Sequence, residues 1–160
     1  MRWTLRGLVV SLAIVAVPGV CQAGSGSFQT SSEQQVLLLL NQIRQQHHLT
    51  GFVLSAPLRS AAREHTADMF RNAYFDHDSA SESADVRIGR YVRSTLVGED
   101  LAWGVGTYGS PAGLVNQWMR SAEHRAVILM PGLRRVGLGI ALGTFGSKRN
   151  AIVATADFSG

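Results

Sequence analysis

Between Ser31 and Gln46 the apolar residues Val36, Leu39, Leu40 and Ile43 recur at i, i+3, i+4 and i+7, the spacing of one face of an α-helix. Leu37 and Leu38 widen that face. Ser32 and Gln35 stand at capping-box spacing near its start, and Gly51 is expected to stop it. A second helix is predicted over Ala56 to Asn72, with Ser55 as cap and Pro57 in the first turn. Its buried face carries Leu58, Ala61, Ala62, His65, Met69 and Phe70. After Ala73 the period dissolves into YFDHDSASESADVRIGRYVRS, a loop rich in Ser and Asp that ends in a short helix around Asp85 to Val92. Such loops carry function more often than core segments do.

Ser110-Pro111 is an N-cap followed by a first-turn proline, and Leu114, Val115, Trp118 and Met119 give the stripe of a third long helix running to about Arg120. Ala126 to Met130 read as core, and Pro131-Gly132 close the next turn. Val136 to Leu142 and Ala151 to Phe158 alternate or run apolar with β-branched residues around the polar turn Gly143 to Asn150, which predicts an antiparallel hairpin. Helices first and strands last imply an α+β domain with helices packed on an antiparallel sheet.

The N-terminus changes this picture in one respect. MRWTLRGLVVSLAIVAVPGVCQA has two arginines, an apolar stretch from Leu8 to Val17, a Pro18-Gly19 break and small residues before Gly24, the pattern of a cleavable signal peptide over residues 1–23. The apolar stretch is about half of what a membrane span requires, so no stable span is expected after cleavage. Cleavage before Cys21 as a lipoprotein is the other processing route, although Val20 is larger than that route favours. Gly24 to Thr30 read as a flexible leader, and residues 31–160 as one domain. About 137 residues suffice to bury roughly two-thirds of the unfolded surface.

Loss of Arg2 and Arg6 with the signal peptide lowers the net charge from +4 to about +2. The remaining basic residues are scattered, with no interleaved aromatics, so nucleic acid is excluded as a partner. The single cysteine, Cys21, leaves with the signal peptide, so the exported domain relies on its core and not on disulfides. Export places it in the periplasm or outside the cell.

Candidate chemistry centres on the five histidines. His47-His48 at a helix end complement the negative end of the helix dipole, and His65 on an apolar face reads as a core histidine bonded to a backbone carbonyl. His77 and His124 differ, because each lies at a loop or turn beside acidic residues. His77, Glu99 and His124 are each more than 20 residues apart, so no local metal motif joins them.

The ordered segments LNQIRQQH (Leu40 to His47), AAREHTADMFRNAYFDH (Ala61 to His77), GEDLAWG (Gly98 to Gly104), QWMRSAEHRAVIL (Gln117 to Leu129), VGLGIAL (Val136 to Leu142) and ATADF (Ala154 to Phe158) resemble the bacterial branch of the CAP superfamily. These SCP-like extracellular domains belong to a superfamily named for cysteine-rich secretory proteins, antigen five and pathogenesis-related-one proteins. The resemblance spans nearly the whole chain after the signal peptide, in order. It implies an α-β-α sandwich around a central antiparallel sheet, with a cleft in which many members hold two histidines and two acidic residues able to bind a divalent metal.

Carried over by motif, the resemblance makes His77, Glu99 and His124 the metal ligands, with zinc the expected ion. The same three and Ser121 become ligand-binding residues, and Glu99 and His124 the catalytic candidates. Ser121 stands where animal and plant members have the second glutamate, Asp100 where the family has Asn, and Val127 where an Asn is common.

Two imidazoles and one carboxylate would leave zinc one open position, the ligand set of a metal-activated water. Glu123 or Asp100 would then be a general base. A Ser121-His124-Glu123 nucleophile is a further enzymatic option. The competing readings are a structural role, with Glu99 locking its loop and paired to His124, and a binding module for a small molecule, lipid, glycan or envelope protein. In the last, the glycine-rich loop from Trp103 to Pro111, with Tyr108, forms a mobile rim. Trp103 and Trp118 are expected in the core.

Overall fold

The computed structural model describes residues 25–160; the signal-peptide segment and Cys21 lie outside the described residues. The chain forms an α-β-α sandwich around one antiparallel sheet. In order, the elements are β1 (Ser27–Phe28), α1 (Thr30–Gln46), β2 (Val53–Leu54), α2 (Ala56–Asn72), α3 (Ala84–Gly89), β3 (Val97–Val105), a single 3₁₀ turn (Gly106–Gly109), α4 (Pro111–Arg120), α5 (Ala122–Ile128), β4 (Arg135–Phe145) and β5 (Lys148–Ser159). The sheet runs β1-β4-β5-β3, and β2 adds a short parallel pair to β4.

Side chains alternate across the sheet, and this divides the core in two. Ala102, Val136, Leu138, Ile140, Ala154, Ala156 and Phe158 face α1, α4 and α5, where Val36, Leu40, Leu114, Trp118 and Ile128 complete the larger cluster. Leu101, Ala141 and Val153 face α2 and meet Met69 and Phe70. Helix α2 lies directly on the strand: a Cβ at Gly137 would fall 2.0 Å from the Leu58 carbonyl carbon, and one at Gly139 2.5 Å from that of Ala62. Glycine there is a packing requirement.

The helix and hairpin expectations hold for α1, α2, α4, β4 and β5, with differences at their ends. The capping box does not form. Helix α1 begins at Thr30 without a side-chain cap, because Glu33 in its first turn is buried by α2, accepting from Arg59 Nε at 2.8 Å and Arg63 Nε at 2.9 Å. Helix α1 also stops before Gly51. His48 takes the left-handed conformation (φ 56°), and Leu49 N–H reaches Arg44 O at 2.8 Å while His48 N–H reaches Gln45 O at 3.0 Å, a Schellman closure without glycine.

The hairpin turn is shorter than expected, Gly146-Ser147 between Phe145 and Lys148. Within the stretch read as a leader, Ser27 and Phe28 pair with Leu142 and Ala141 of β4. The short helix expected around Asp85 to Val92 is α3. Strand β3 and helix α5 go beyond the elements expected from the pattern: β3 buries Glu99 and Asp100 on opposite faces and so lacks alternation, and α5 is only two turns long.

Arg44, fully buried, closes the larger core without a carboxylate partner. Its Nε donates to Thr50 O at 2.7 Å, and its terminal nitrogens donate to Ile128 O at 2.7 Å, Met130 O at 3.2 Å and Leu133 O at 3.0 Å. The guanidinium lies 4.0 Å above the Phe52 ring, which packs on Phe158 at 5.0 Å. Carbonyls at the C-terminal end of α5 are thereby satisfied where water cannot reach. Arg44→Met is expected to cost about 3 kcal/mol or more, because several buried carbonyls lose their donor together. Arg44→Lys should recover only part of this, since an ammonium cannot span the fork. Urea unfolding midpoints measure both, and a lysine variant as stable as the parent would contradict the assignment.

Candidate functional site

His77 lies in the loop after α2, a segment held by its own backbone and side-chain bonds. Ala73 turns the chain in the left-handed conformation, His65 Nε2 pairs with Asp76 O at 2.9 Å, and Asp78 Oδ1 accepts from Ala84 N–H at 3.1 Å. His65 is therefore the core histidine expected from its apolar face. The loop brings His77 to the outer strand β3, where Glu99 projects toward the α2 and α3 side of the sheet. His124 sits in the first turn of α5 and approaches the same edge, its ring centroid 6.4 Å from that of His77.

Glu99 is the centre of the cluster and is shielded from solvent. One carboxylate oxygen, Oε1, pairs with His77 Nδ1 at 2.8 Å. The other, Oε2, accepts from Arg87 of α3 and lies 3.9 Å from His65 Nε2. Arg87, itself buried, also donates to His77 O at 3.2 Å and stands 3.9 Å from Asp157 Oδ1. Asp157 is the cross-strand partner of Glu99. Burial, reinforced by the Glu99 charge, pushes the Asp157 carboxyl well above the ordinary carboxylate range, which favours its protonated form.

The two imidazoles have opposite character. The hydrogen bond to Glu99 raises His77 above 6.5, whereas burial, then the nearby His77 charge, lowers His124. The rim thus pairs a half-exposed His77, whose charged form is favoured, with a His124 whose neutral form is favoured.

The other sequence candidates have separate places. Ser121 is the N-cap of α5: its hydroxyl accepts from the His124 backbone N–H at 3.4 Å, not from the imidazole, and such a cap is worth about 1 kcal/mol. Glu123 is exposed on the first turn of α5. Val127 packs over Gly98, where an added Cβ would meet its Cγ1 at 3.0 Å. Trp118 is fully buried, as expected, while Trp103 is 36% exposed and belongs to the surface. The Trp103 to Pro111 segment is a pinned turn: Ser110 Oγ donates to Thr107 O at 2.7 Å and Gln117 Nε2 to Tyr108 O at 2.9 Å.

Asp100 alternates away from Glu99 into the larger core. Fully buried, with neither carboxylate oxygen hydrogen-bonded, it is pushed up to about 8, first by burial and then by the Glu99 charge. It is not placed to act as a base beside His77.

Sequence reasoning missed Arg87 and Asp157. Each left a signal, a basic residue between Val86 and Ile88 in a short helix and an acidic one between Ala156 and Phe158 in an apolar strand, but neither residue indicates its partner.

A zinc ion would require donors that this arrangement does not offer. Among the described residues no group of three His, Cys, Asp or Glu side chains is placed to hold a metal. Glu99 is neutralised by Arg87 and engaged by His77 Nδ1, leaving two imidazoles where zinc takes three protein ligands or more. As arranged, the residues do not fit the His2Glu set.

Helices on both faces of an antiparallel sheet, with a buried acid and two histidines at its outer strand, define an SCP-like domain. The family model described as CAP, the cysteine-rich secretory protein family, matches residues 37–158, and the chain belongs to that family. Two Bacillus subtilis proteins are similar in sequence. The membrane protein YlbC is 32% identical over 114 residues, covering 70% of this chain and 32% of its own length. YkwD is 32% identical over 109 residues, covering 67% and 41%. The chain thus spans less than half the length of these relatives.

Among solved structures, an extracellular SCP-domain protein from Bacillus anthracis superposes with a TM-score of 0.70 at 26% identity, over 82% of this chain and 41% of that one. An outer surface protein of Borrelia burgdorferi gives 0.72 at 19% identity, over 83% and 96%, a likeness of fold. Among the described residues no helix is long and apolar enough to cross a membrane.

Two measurements check the electrostatics. In a histidine NMR titration, His77 is expected to titrate above 6.5 and His124 below it, and Glu99→Gln should bring His77 down. For Asp100, a folded-state value near 8 against an ordinary 3.8 means that the native state binds more protons than the unfolded chain between those values, so this group's contribution to stability falls as pH rises from about 4 to about 8. Asp100→Asn is expected to melt at least several degrees above the parent at pH 8 and close to it at pH 4. A parent at least as stable as the variant at pH 8 would show Asp100 ionised and paired in the fold.

Proposed function

We propose that the chain is an exported binding module whose His77–His124 rim holds the polar or anionic group of an extracellular or envelope ligand. The observation that carries this reading is the state of Glu99. Both of its oxygens are engaged, one by Arg87 and one by His77 Nδ1, so the acid that would complete a zinc site is spent on orienting and charging His77. What remains toward solvent is an imidazole whose charged form Glu99 favours, beside one whose neutral form burial favours, a pair suited to hydrogen-bonding an anionic or polar group.

Export is supported by the signal-peptide pattern, by the extracellular and outer-surface descriptions of the two structural neighbours, and by the membrane description of YlbC. A small molecule, a lipid, a glycan and an envelope protein all fit such a module. The alternative, a zinc-dependent hydrolase or peptidase of the cell envelope, requires Glu99 to leave Arg87.

Calorimetric titration with zinc, paired with a peptide and ester hydrolysis panel, separates the two. The binding-module reading expects no saturable heat at micromolar zinc and no chelator-sensitive turnover. Stoichiometric zinc binding lost in both His77→Ala and His124→Ala would overturn it, as would hydrolysis abolished by chelation and by Glu99→Gln.

A further inference from the structure

Beyond Leu101, β3 carries two apolar side chains into solvent on the α2 face of the sheet, Trp103 at 36% exposure and Val105 at 42%, and the 3₁₀ turn then presents Tyr108 at 69%. An open hollow of about 460 Å³ is lined by Trp103, Gly104, Val105, Tyr108 and Lys148. A second hollow, of about 330 Å³, shares Tyr108 and is lined further by Thr107, Asn116, Gln117 and Arg120, with Gly113 in its floor. Tyr108 thus stands between an apolar shelf and a row of hydrogen-bonding groups. Each side contributes one cation, Lys148 or Arg120, and no Asp or Glu lines either hollow.

The aromatic groups sit on a built support. Trp103 packs against Phe145 at 5.8 Å, and Phe145 is braced edge-on by Phe70 at 5.6 Å and Phe75 at 6.4 Å. The Tyr108 backbone is held by close approaches that only glycine permits: a Cβ at Gly104 would lie 2.6 Å from the Tyr108 carbonyl carbon, and one at Gly113 2.7 Å from its oxygen. Gln117 Nε2 donates to that same oxygen at 2.9 Å. The exposed ring therefore projects from an immobilised backbone, which lowers the ordering cost of binding at this place.

We propose that Trp103 and Tyr108, with Lys148 and Arg120, form a binding site for a carboxylate-bearing oligosaccharide. A sugar ring offers an apolar C–H face that stacks on an aromatic ring, hydroxyls that pair with amides such as Asn116 and Gln117, and, in an acidic sugar, a carboxylate that pairs with a cation. The two hollows, which meet at Tyr108, supply all three between them. A lipid chain is matched less well, because the apolar hollow is open to solvent, includes Lys148 and adjoins a polar one that includes Arg120. The proposal goes beyond the His77–His124 rim and assigns a second, separate site farther along β3.

The probe is an oligogalacturonate, titrated into the purified chain and followed by tryptophan fluorescence and calorimetry. Its carboxyl-reduced neutral counterpart and phosphatidylglycerol vesicles serve as comparisons. Saturable binding of the acidic oligosaccharide is expected, weakened about tenfold or more in Trp103→Ala and in Tyr108→Ala. It should be retained in Tyr108→Phe, which keeps the ring, and reduced by salt and by Lys148→Ala. His77→Ala and His124→Ala should leave it unchanged. Because Trp103→Ala could loosen the Phe145 cluster, Trp103→Phe is the paired variant, expected to keep its melting temperature and most of the affinity.

No binding of the acidic oligosaccharide, equal binding of its neutral counterpart, or binding to vesicles alone would overturn the site. Loss in the histidine variants with retention in the aromatic ones would also overturn it, while leaving the rim reading intact.

Discussion

Arg87 and Glu99 meet where water is almost wholly excluded, and the surroundings of His77 follow from that contact. An unpaired carboxylate at this depth would cost several kcal/mol, so Glu99 requires a permanent cation. Arg87 supplies it from α3, and by donating also to the His77 carbonyl it ties the loop after α2 to strand β3. With one oxygen committed to the guanidinium, Glu99 has the other free to orient and charge His77. Across the strand, burial first and the Glu99 charge second push Asp157 toward its protonated form. One ion pair thus helps set the loop path and, through Glu99, the character of His77.

The rim stands at an exposed edge of a closely packed sheet. Glycines at 137 and 139 let the α2 backbone lie on β4, Arg44 ties α1 to the end of α5, and the close turn around Gly104 and Gly113 sets Tyr108 outward. In each case a position without a side chain, or a guanidinium with several acceptors, replaces what a disulfide does in smaller exported domains. The result is an outer strand with charged chemistry near Glu99 and aromatic surface near Trp103, about 13 Å apart by strand rise.

Much of the architecture was legible in the order of residues. The i, i+3, i+4 stripes at Val36 to Ile43 and Leu58 to Phe70 and the Ser-Pro start at Ser110 marked three helices. The β-branched runs after Arg135 and Arg149 marked two strands. What escaped were elements whose burial depends on something remote. Strand β3 hides two consecutive acids on opposite faces, which no periodicity test reads as a strand. Helix α5 has two turns, and its serine cap occupies the position where the family resemblance points to a missing metal ligand. The capping box at Ser32 looks sound locally, but Arg59 and Arg63 draw Glu33 inward and move the helix start.

The candidate site divides along the same line. His77, Glu99 and His124 came from motif order in the family, Arg87 and Asp157 only from the fold. By itself the sequence determined the helical and strand segments, the two-sided apolar content of the sheet, and the presence of histidines and acids outside the helical stripes, because these depend on neighbours within one or two turns of chain. Tertiary structure decided which carboxyl is pushed toward its protonated form and which imidazole is shifted toward its charged form. Those outcomes depend on desolvation and on charges brought together across about 10 to 60 residues of chain, and a carboxylate's state is set by what surrounds it in space, not by what precedes it in the chain.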